Sequence, residues 1–124
     1  MLKGIGIDLC GIERMEKLLA DDRFMNRFFT PEETAYVRSR RASAAASAAG
    51  IFAAKEAVLK ALGTGLALPL GDIATERLDS GRPIVTLTGK AAHFFAEQGG
   101  GTLLISITHE GGMAAATAVW DSDA

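Results

Sequence analysis

One stretch near the middle of the chain, FAAKEAVLKALGTG at residues 52–65, limits the possible folds most strongly. Alanine, leucine, lysine and glutamate favour a helix, and Gly63 suits a left-handed cap at its end. At about 100° per residue, the large apolar side chains fall within one arc of the helix. These are Ile51, Phe52, Val58, Leu59 and Leu62. The stretch therefore predicts the C-terminal half of a long helix with one buried face.

Charged side chains lie at the edge of that face and within it. Glu56 and Lys60 are four residues apart, so they are neighbours just outside the apolar arc. They form either an ordinary surface pair, which stabilises a helix only slightly, or part of a functional site. Lys55 projects into the middle of the arc, and this position of a charge needs an explanation.

Composition restricts the class of protein. With 124 residues, of which 48% are hydrophobic, the chain predicts a single domain with a substantial core, spanning residues 1–124. A net charge of −2 gives no argument for nucleic acid or an anionic membrane as a partner. The single cysteine, Cys10, excludes an intrachain disulfide framework.

No targeting or membrane segment is predicted. The N-terminus lacks an apolar run long enough for a signal peptide, and charges interrupt the hydrophobic stretches elsewhere. We expect a cytoplasmic protein, in keeping with its single cysteine.

Local patterns predict an α+β fold with a mostly antiparallel sheet. Thr30, Pro31 and Glu33 mark a helix start, with a cap, a proline at the first position and capping-box spacing. The expected strands are 2–9, 73–78, 84–87, 103–108 and 113–120, and the expected helices are 12–20, 30–41, one running through 42–62, and 88–98. Residues 109–112 are expected to form the turn of the last hairpin.

Asp8 and a group of arginines each have two interpretations. Asp8 ends an apolar strand, either as the cap of a helix that begins near Ile12 or as a ligand held on a rigid element. Arg14, Arg23 and Arg27 form either a solvated basic face or a docking patch for an acidic partner.

Five motifs occur together along the chain. They are GIGID at residues 4–8, Arg14, FFTPEE at 28–33, FAAKEA with Lys60 and GTG at 52–65, and SITHE at 106–110. This set closely resembles the holo-[acyl-carrier-protein] synthases, the small bacterial branch of the 4′-phosphopantetheinyl transferases. The resemblance covers essentially the whole chain, and KEAxxK at 55–60 combined with the N-terminal GxGxD is its most specific part. It implies that family's α+β fold, in which a mostly antiparallel sheet packs against the long central helix.

The resemblance also implies a reaction: transfer of 4′-phosphopantetheine from coenzyme A to a serine of apo-acyl carrier protein, with release of adenosine 3′,5′-bisphosphate. Asp8 and Glu56 look like the two carboxylates that hold Mg²⁺, a hard cation that binds carboxylates and phosphates. Glu56 is the preferred base for the serine proton, with Asp8 or a metal-bound water as alternatives. Lys60 would stabilise the departing nucleotide or donate a proton to it.

Further residues match the coenzyme pocket of that family. They are Lys55, Lys60, Gly63, Thr64, Gly65, Pro83, Thr108 and His109. Lys55 either contacts a phosphate or extends its ammonium to water along an apolar stem. His109 either acts on a nucleotide phosphate across a subunit interface or is structural, since the family's sites lie between the subunits of a homotrimer. Arg14, Arg23 and Arg27 would dock the acidic helix of the carrier protein.

One position departs from the family. Relatives often carry an arginine that reaches a coenzyme phosphate immediately before Phe52, and this chain has Ile51. Lys55, the basic run at residues 38–41 or a neighbouring subunit has to supply that charge, or coenzyme A binds more weakly. Two alternatives to the transferase are a Mg²⁺-dependent phosphohydrolase that acts on coenzyme A or nucleotides, and a coenzyme A binding protein without turnover.

Overall fold

The computed structural model describes residues 1–122, which form five strands and five α-helices. The strands are β1 (Leu2–Gly11), β2 (Ile73–Arg77), β3 (Pro83–Leu87), β4 (Thr102–Glu110) and β5 (Met113–Asp121). The helices are α1 (Ile12–Leu18), α2 (Asp22–Phe28), α3 (Pro31–Ser39), α4 (Ala44–Leu62) and α5 (Gly89–Glu97). A short 3₁₀ turn at Arg41–Ser43 precedes α4, and two more follow it, at Gly65–Ala67 and Leu70–Asp72.

Every strand pair is antiparallel. The strands β1, β5 and β4 form one sheet in that order, and β2 with β3 forms a separate hairpin. Asp8 is paired with Ala116 on the central strand, which is paired with Ile107 on the far strand. The structure confirms the expected α+β fold with an antiparallel sheet packed against one long helix.

The long helix α4 lies against the inner face of the larger sheet because that face is lined by very small residues. A Cβ atom on Gly4 would overlap the carbonyl oxygen of Ala61, and one on Gly6 would overlap that of Ala57. Alanines of β5 line the same face beside them: Ala114, Ala116 and Ala118 are all buried. The helix backbone therefore runs in direct contact with β1, and this contact positions Glu56 and Lys60 beside the strand.

The opposite face of the sheet has no covering layer within residues 1–122. On β1, Ile5, Ile7 and Leu9 are 76%, 61% and 62% exposed, because alternate residues of a strand point to opposite faces. Leu104 on β4 and Met113 on β5 extend this apolar surface.

Within residues 1–122, one segment is long and apolar enough to span a membrane by length and composition, Arg41–Leu62. It is an exception to the argument that charges interrupt the hydrophobic stretches of this chain. Nearly every residue of α4 from Ala48 onward is buried inside the domain, so packing explains its apolar character.

The helices before α4 differ from the sequence prediction. The helix expected at 12–20 ends at Leu18, and a further helix, α2, was not predicted. Asp21 starts α2, because its carboxylate accepts hydrogen bonds from the backbone N–H groups of Arg23 and Phe24. Helix α3 ends at Ser39 instead of residue 41, and Arg41, with a φ of 51°, turns the chain into α4.

The last hairpin is longer than expected. Strand β4 continues through His109 and Glu110, so the turn consists of Gly111 and Gly112 alone. Both glycines have positive φ angles, 59° and 75°, which suit a two-residue hairpin turn. The prediction of a turn over 109–112 was therefore wrong for His109, which is a strand residue.

Candidate active site

Three of the predicted catalytic residues meet where β1 crosses the second half of α4. The Nζ of Lys60 donates to the carboxylate Oδ1 of Asp8 at 3.1 Å and to the carbonyl oxygen of Ile7 at 2.9 Å. The carboxylate of Glu56, one turn earlier on α4, lies close enough to feel the charges of Asp8, Lys60 and Arg14. The glycines of β1 make this arrangement possible because they let α4 approach the strand.

Electrostatics distinguish Glu56 from an ordinary surface acid. Partial burial raises the pKa of Glu56, and the nearby negative charge of Asp8 raises it further. The cations of Lys60 and Arg14 oppose this rise without cancelling it. Glu56 is therefore a better proton acceptor than a solvated glutamate.

These contacts exclude one interpretation of Asp8 and one of the Glu56–Lys60 pair. Asp8 does not cap the helix that follows it, because Gly11 occupies the N-cap of α1 without any side-chain cap. Lys60 forms its ion pair with Asp8 on β1. Glu56 and Lys60 are therefore not an ordinary surface ion pair within one helix.

The donor set fits a hard divalent cation. Asp8 and Glu56 place two carboxylates near each other, and their mutual repulsion is one cause of the raised pKa of Glu56. Mg²⁺ usually takes one or two protein carboxylates and completes its shell with phosphates and water. Within residues 1–122 no cluster of three or more His, Cys, Asp or Glu residues forms a metal site, so this pair would depend on such additional ligands.

Lys55 does not belong to this site. Its side chain is fully buried, and its Nζ forms an ion pair with Glu33 at 2.7 Å. It also donates to the carbonyl oxygens of Leu70, at 3.3 Å, and of Ile73. Both interpretations of Lys55 were therefore wrong, since its ammonium reaches neither a ligand phosphate nor water.

The glycine-rich segment follows directly where α4 ends. Gly63 has a φ of 77°, and its N–H donates to the carbonyl oxygen of Leu59 at 3.0 Å, which confirms the predicted left-handed cap. Gly65, with a φ of 55°, has open space around its Cα, whereas Thr64 between the two glycines is half-buried. This short loop lies one turn beyond Lys60 and presents exposed backbone.

Pro83 lines a cavity of about 240 Å³ between α3, α4 and the β2–β3 hairpin. Its apolar wall includes Tyr36, Ile51 and Ile107, and its polar lining includes Thr75 and Arg77. The remaining lining residues are Glu32, Glu33 and Glu76. The cavity combines a planar apolar surface with a charged rim, a composition typical of a small-molecule pocket.

Thr108 and His109 lie far from the Asp8–Glu56 pair within one chain. The Nε2 of His109 donates to the carbonyl oxygen of Ala46 at 2.8 Å, near the N-terminal end of α4. Ala46 and Glu56 are separated by about 15 Å along the helix axis, at about 1.5 Å per residue. Thr108 points to the outer face of the sheet and is exposed. The structure therefore does not bring these two residues to the site of the same chain.

The three predicted docking arginines are exposed. Arg14 lies on α1 close to the candidate site, since its charge lowers the pKa of both Glu56 and Cys10. Arg23 and Arg27 lie one turn apart on α2, and the guanidinium of Arg27 is 5.1 Å from the ring centre of Phe28. Burial raises the pKa of the Cys10 thiol, so this cysteine is disfavoured as a nucleophile despite its position next to Asp8 in space.

Sequence reasoning missed most of the cavity. Tyr36, Thr75 and Arg77 carry no motif, and they meet only because the hairpin folds against α3. Glu33 was interpreted only as part of the capping box that it indeed forms with Thr30. Glu33 also forms the buried ion pair with Lys55. The unexplained charge of Lys55 indicated that some acid pairs with it, but the sequence does not indicate which one.

Comparisons of the sequence with known proteins cover nearly the whole chain. The family model of the 4′-phosphopantetheinyl transferase superfamily matches residues 4–117. A holo-[acyl-carrier-protein] synthase of Treponema denticola is 48% identical over 120 residues, which cover 96% of this chain and 98% of that protein.

Solved structures agree with the fold along the whole chain. The holo-[acyl-carrier-protein] synthase of Neisseria meningitidis has a TM-score of 0.88 at 28% identity, covering 98% of this chain and all of that one. The Helicobacter pylori enzyme of the same name, solved in complex with coenzyme A, has a TM-score of 0.82 at 32% identity, covering 94% and 99%.

Proposed function

The chain belongs to the 4′-phosphopantetheinyl transferase superfamily, as a holo-[acyl-carrier-protein] synthase, and from this premise we propose how its site works. The substrates would be coenzyme A and a serine of apo-acyl carrier protein. The products would be the phosphopantetheinylated carrier and adenosine 3′,5′-bisphosphate. The observation that carries the proposal is the meeting of Asp8, Glu56 and Lys60 where β1 crosses α4.

Asp8 and Glu56 would hold Mg²⁺ between them. When bound there, the ion supplies positive charge to the pyrophosphate oxygens of coenzyme A. The raised pKa of Glu56 supports this assignment, because two neighbouring carboxylates that repel each other gain most from a cation.

Glu56 would also take the proton from the carrier serine. The serine Oγ forms a bond to the β-phosphorus of coenzyme A, the bond from that phosphorus to the bridging oxygen breaks, and the serine proton goes to the Glu56 carboxylate. Asp8 is the weaker candidate for the base, since one of its oxygens already accepts a hydrogen bond from Lys60.

Lys60 would stabilise the leaving nucleotide. Its ammonium has three donors, and only two of them bind Asp8 and the carbonyl oxygen of Ile7. The side chain is 51% exposed, so the third donor can reach a ligand in front of the site. The hydrogen bonds to β1 fix the position of the charge before the substrate arrives.

The coenzyme would extend from this site past Gly63, Thr64 and Gly65. The exposed backbone of that loop permits close approach of a ligand. The cavity lined by Pro83 and Ile51 would receive another part of the molecule.

Ile51 lacks the positive charge that relatives often carry at this position, so another residue would have to supply it. Ile51 is buried and apolar, and Lys55 is committed to Glu33. Arg77 lines the cavity, and the guanidinium of Arg40, from the basic run, lies 5.9 Å from the ring centre of Tyr36 in the cavity wall. These arginines, or a residue of a second copy, are therefore the candidates for contact with a coenzyme phosphate.

A second copy of the chain would complete the site. The exposed apolar face made by Ile5, Ile7 and Leu9 suits self-association, and in the resembling family the assembly is a homotrimer. His109 and Thr108, which lie far from their own chain's carboxylate pair, would then serve a neighbouring subunit's coenzyme. Arg14, Arg23 and Arg27 remain exposed for an acidic carrier protein. The proposed partners are therefore the carrier protein, coenzyme A and further copies of the chain, and we expect them to meet in the cytoplasm.

The dependence of coenzyme A consumption on the carrier tests this proposal. Coenzyme A and adenosine 3′,5′-bisphosphate would be quantified by chromatography with Mg²⁺, with and without apo-acyl carrier protein. The proposal predicts consumption only when the carrier is present, and none with a carrier whose acceptor serine is changed to alanine. Consumption without the carrier would instead identify the phosphohydrolase, and tight coenzyme binding without any product would identify the binding protein.

A further inference from the structure

One buried ion pair lies outside the catalytic cluster and takes no part in the proposed chemistry. The side chains of Lys55 on α4 and Glu33 on α3 are 0% and 1% exposed, and their charged atoms are 2.7 Å apart. Burial lowers the pKa of Lys55, while the Glu33 carboxylate opposes that shift.

The pair connects four parts of the chain by directional hydrogen bonds. Lys55 donates to the carbonyl oxygens of Leu70 and Ile73, which bracket the 3₁₀ turn that precedes β2. One oxygen of Glu33 accepts from the backbone N–H of Thr30 at 2.8 Å. Its other oxygen accepts from both the N–H and the hydroxyl of Thr75 at 2.8 Å. Among the described residues, no buried side-chain nitrogen or oxygen lacks a partner.

These bonds fix both ends of the coenzyme region, and both oxygens of Glu33 already accept hydrogen bonds from the protein. The chain leaves α4 through the loop at Gly63–Gly65 and returns to α4 at Leu70, where Lys55 holds it. Glu33 and Thr75 form adjoining parts of the cavity wall, and their hydrogen bond joins α3 to the hairpin that carries Pro83. The loop and the cavity are therefore held against the same helix that carries Glu56 and Lys60.

Stability alone does not account for a pair of this kind. Removing two charges from water costs about as much as their attraction returns, and apolar replacements are often neutral or stabilising. An apolar pair could not form these hydrogen bonds. They hold two carbonyl oxygens, two N–H groups and one hydroxyl at defined positions.

We propose that Lys55 and Glu33 are positioning residues, which set the shape of the coenzyme cavity and of the 63–65 loop through their bonds to the protein and not through a bond to the coenzyme. This inference rests on the proposed function. Loss of the pair lets the β2–β3 hairpin and the loop shift relative to α4, whereas the Asp8–Lys60 contact on β1 is left intact. The coenzyme therefore binds more weakly, while the hydrogen bonds of the pair do not involve α1, which carries Arg14.

The double variant Lys55→Met with Glu33→Gln tests the proposal, because it removes both charges and nearly keeps the side-chain volumes. Steady-state kinetics are measured at a temperature at which circular dichroism shows each protein folded. The KM for coenzyme A is expected to rise about tenfold, while kcat stays within about twofold. Val58→Ala is the matched control, since Val58 is fully buried on the same helix and its truncation lowers stability without removing a hydrogen bond of the pair.

A second variant keeps the test decisive if the double variant fails to fold. Thr75→Val removes only the hydroxyl that donates to Glu33 and nearly keeps the shape of the cavity wall, and it is expected to raise the KM for coenzyme A about two- to threefold. An unchanged KM for coenzyme A in the folded variants, or an equal rise in Val58→Ala, would overturn the inference. Wild-type protein that leaves the carrier unmodified would contradict the proposed function instead. The positioning role is then judged by calorimetric affinity for coenzyme A, and absence of binding to wild type overturns both.

Discussion

Glu56 sits in surroundings that favour its protonated form, although the proposed reaction needs it ionised. Its raised pKa means that the folded state holds this proton more tightly than the unfolded chain does. Stability contributed by the protonated form is therefore present below the ordinary glutamate pKa, about 4.3, and is lost as the pH rises through the raised folded value.

The variant Glu56→Gln removes this titration. We expect it to abolish transfer and yet to melt about 1–4 °C above wild type at neutral pH, because an unfavourable charge beside Asp8 is gone. The difference in Tm should shrink toward pH 4, where wild-type Glu56 is protonated. Calorimetric melts between pH 4 and pH 8 measure it, and a variant less stable than wild type at pH 7 would contradict the electrostatic account.

Arg14 is expected to affect both pH dependence and docking. Its positive charge lowers the pKa of Glu56, so Arg14→Gln should raise that pKa and move the acidic limb of kcat/KM to higher pH. The KM for carrier protein should rise about two- to fivefold, with little change in kcat.

Arg23→Gln is the matched control for Arg14→Gln. Arg23 is exposed on α2, and no effect of its charge on Glu56 is resolved. Arg23→Gln should raise the KM for carrier protein without moving the acidic limb of the pH profile of kcat/KM. An equal shift of the limb in both variants would show that Arg14 does not act on Glu56 directly.

At the level of single residues, sequence reasoning succeeded where spacing alone defines a contact. The capping box of Thr30 and Glu33 and the left-handed Gly63 were both confirmed. It failed for Lys55, because the partner of a buried charge comes from a distant part of the chain. The roles of Glu56, Lys60 and the coenzyme residues stay predictions until they are tested by substitution.

The contact between β1 and α4 depends on the absence of side chains at two glycines. A Cβ atom at Gly6 would overlap the Ala57 carbonyl oxygen, which is backbone within a buried helix and cannot move aside. Gly6→Ala should therefore lower the free energy of unfolding by about 3 kcal/mol or more, as measured by urea denaturation.

Gly11→Ala on the same strand is the control for Gly6→Ala. A Cβ there meets its nearest neighbours at 3.8 Å or beyond, and the φ of −69° is ordinary for alanine. Because Gly11 is also the N-cap of α1, where alanine is less favourable than glycine, its loss should be about 1 kcal/mol, well below that of Gly6→Ala. Equal losses in the two variants would mean that flexibility, and not close approach, explains the glycines of β1.

At the level of elements, periodicity located the strands and the central helix, because both depend on local pattern. Helix α2 was not predicted because it is short and only the cap at Asp21 marks its start. Strand β4 was drawn too short because His109 and Glu110 are polar, although pairing with β5 extends to the Gly111–Gly112 turn.

The whole molecule presents an apolar sheet face that suits association with copies of itself. Ile7→Lys places a charge at the centre of the Ile5–Ile7–Leu9 stripe and should convert the proposed oligomer to monomers. Loss of activity should accompany dissociation if His109 serves a neighbouring subunit. Sedimentation velocity and activity are measured together on the same samples.

Leu78→Lys is the control for surface hydrophobicity, since Leu78 is 46% exposed beyond β2 and away from the sheet face. It should leave both the oligomer and the activity unchanged. A monomeric wild-type protein with full activity would contradict the proposed shared site.

The overall fold was predictable because its motifs occur in a family-specific order along nearly the whole chain. The same reasoning did not reach the cavity between α3, α4 and the hairpin. Residues far apart in the sequence, such as Tyr36 and Ile107, line this cavity. Only tertiary packing brings them together.

The measurement that tests the central claim most directly is the intact mass of apo-acyl carrier protein after incubation with this protein, coenzyme A and Mg²⁺. Samples with Glu56→Gln and without metal are run beside it. The account predicts a mass gain of one phosphopantetheine group on the carrier, and no gain in either control. An unmodified carrier in the complete reaction, or a gain that persists with Glu56→Gln, would contradict the assignment of this site.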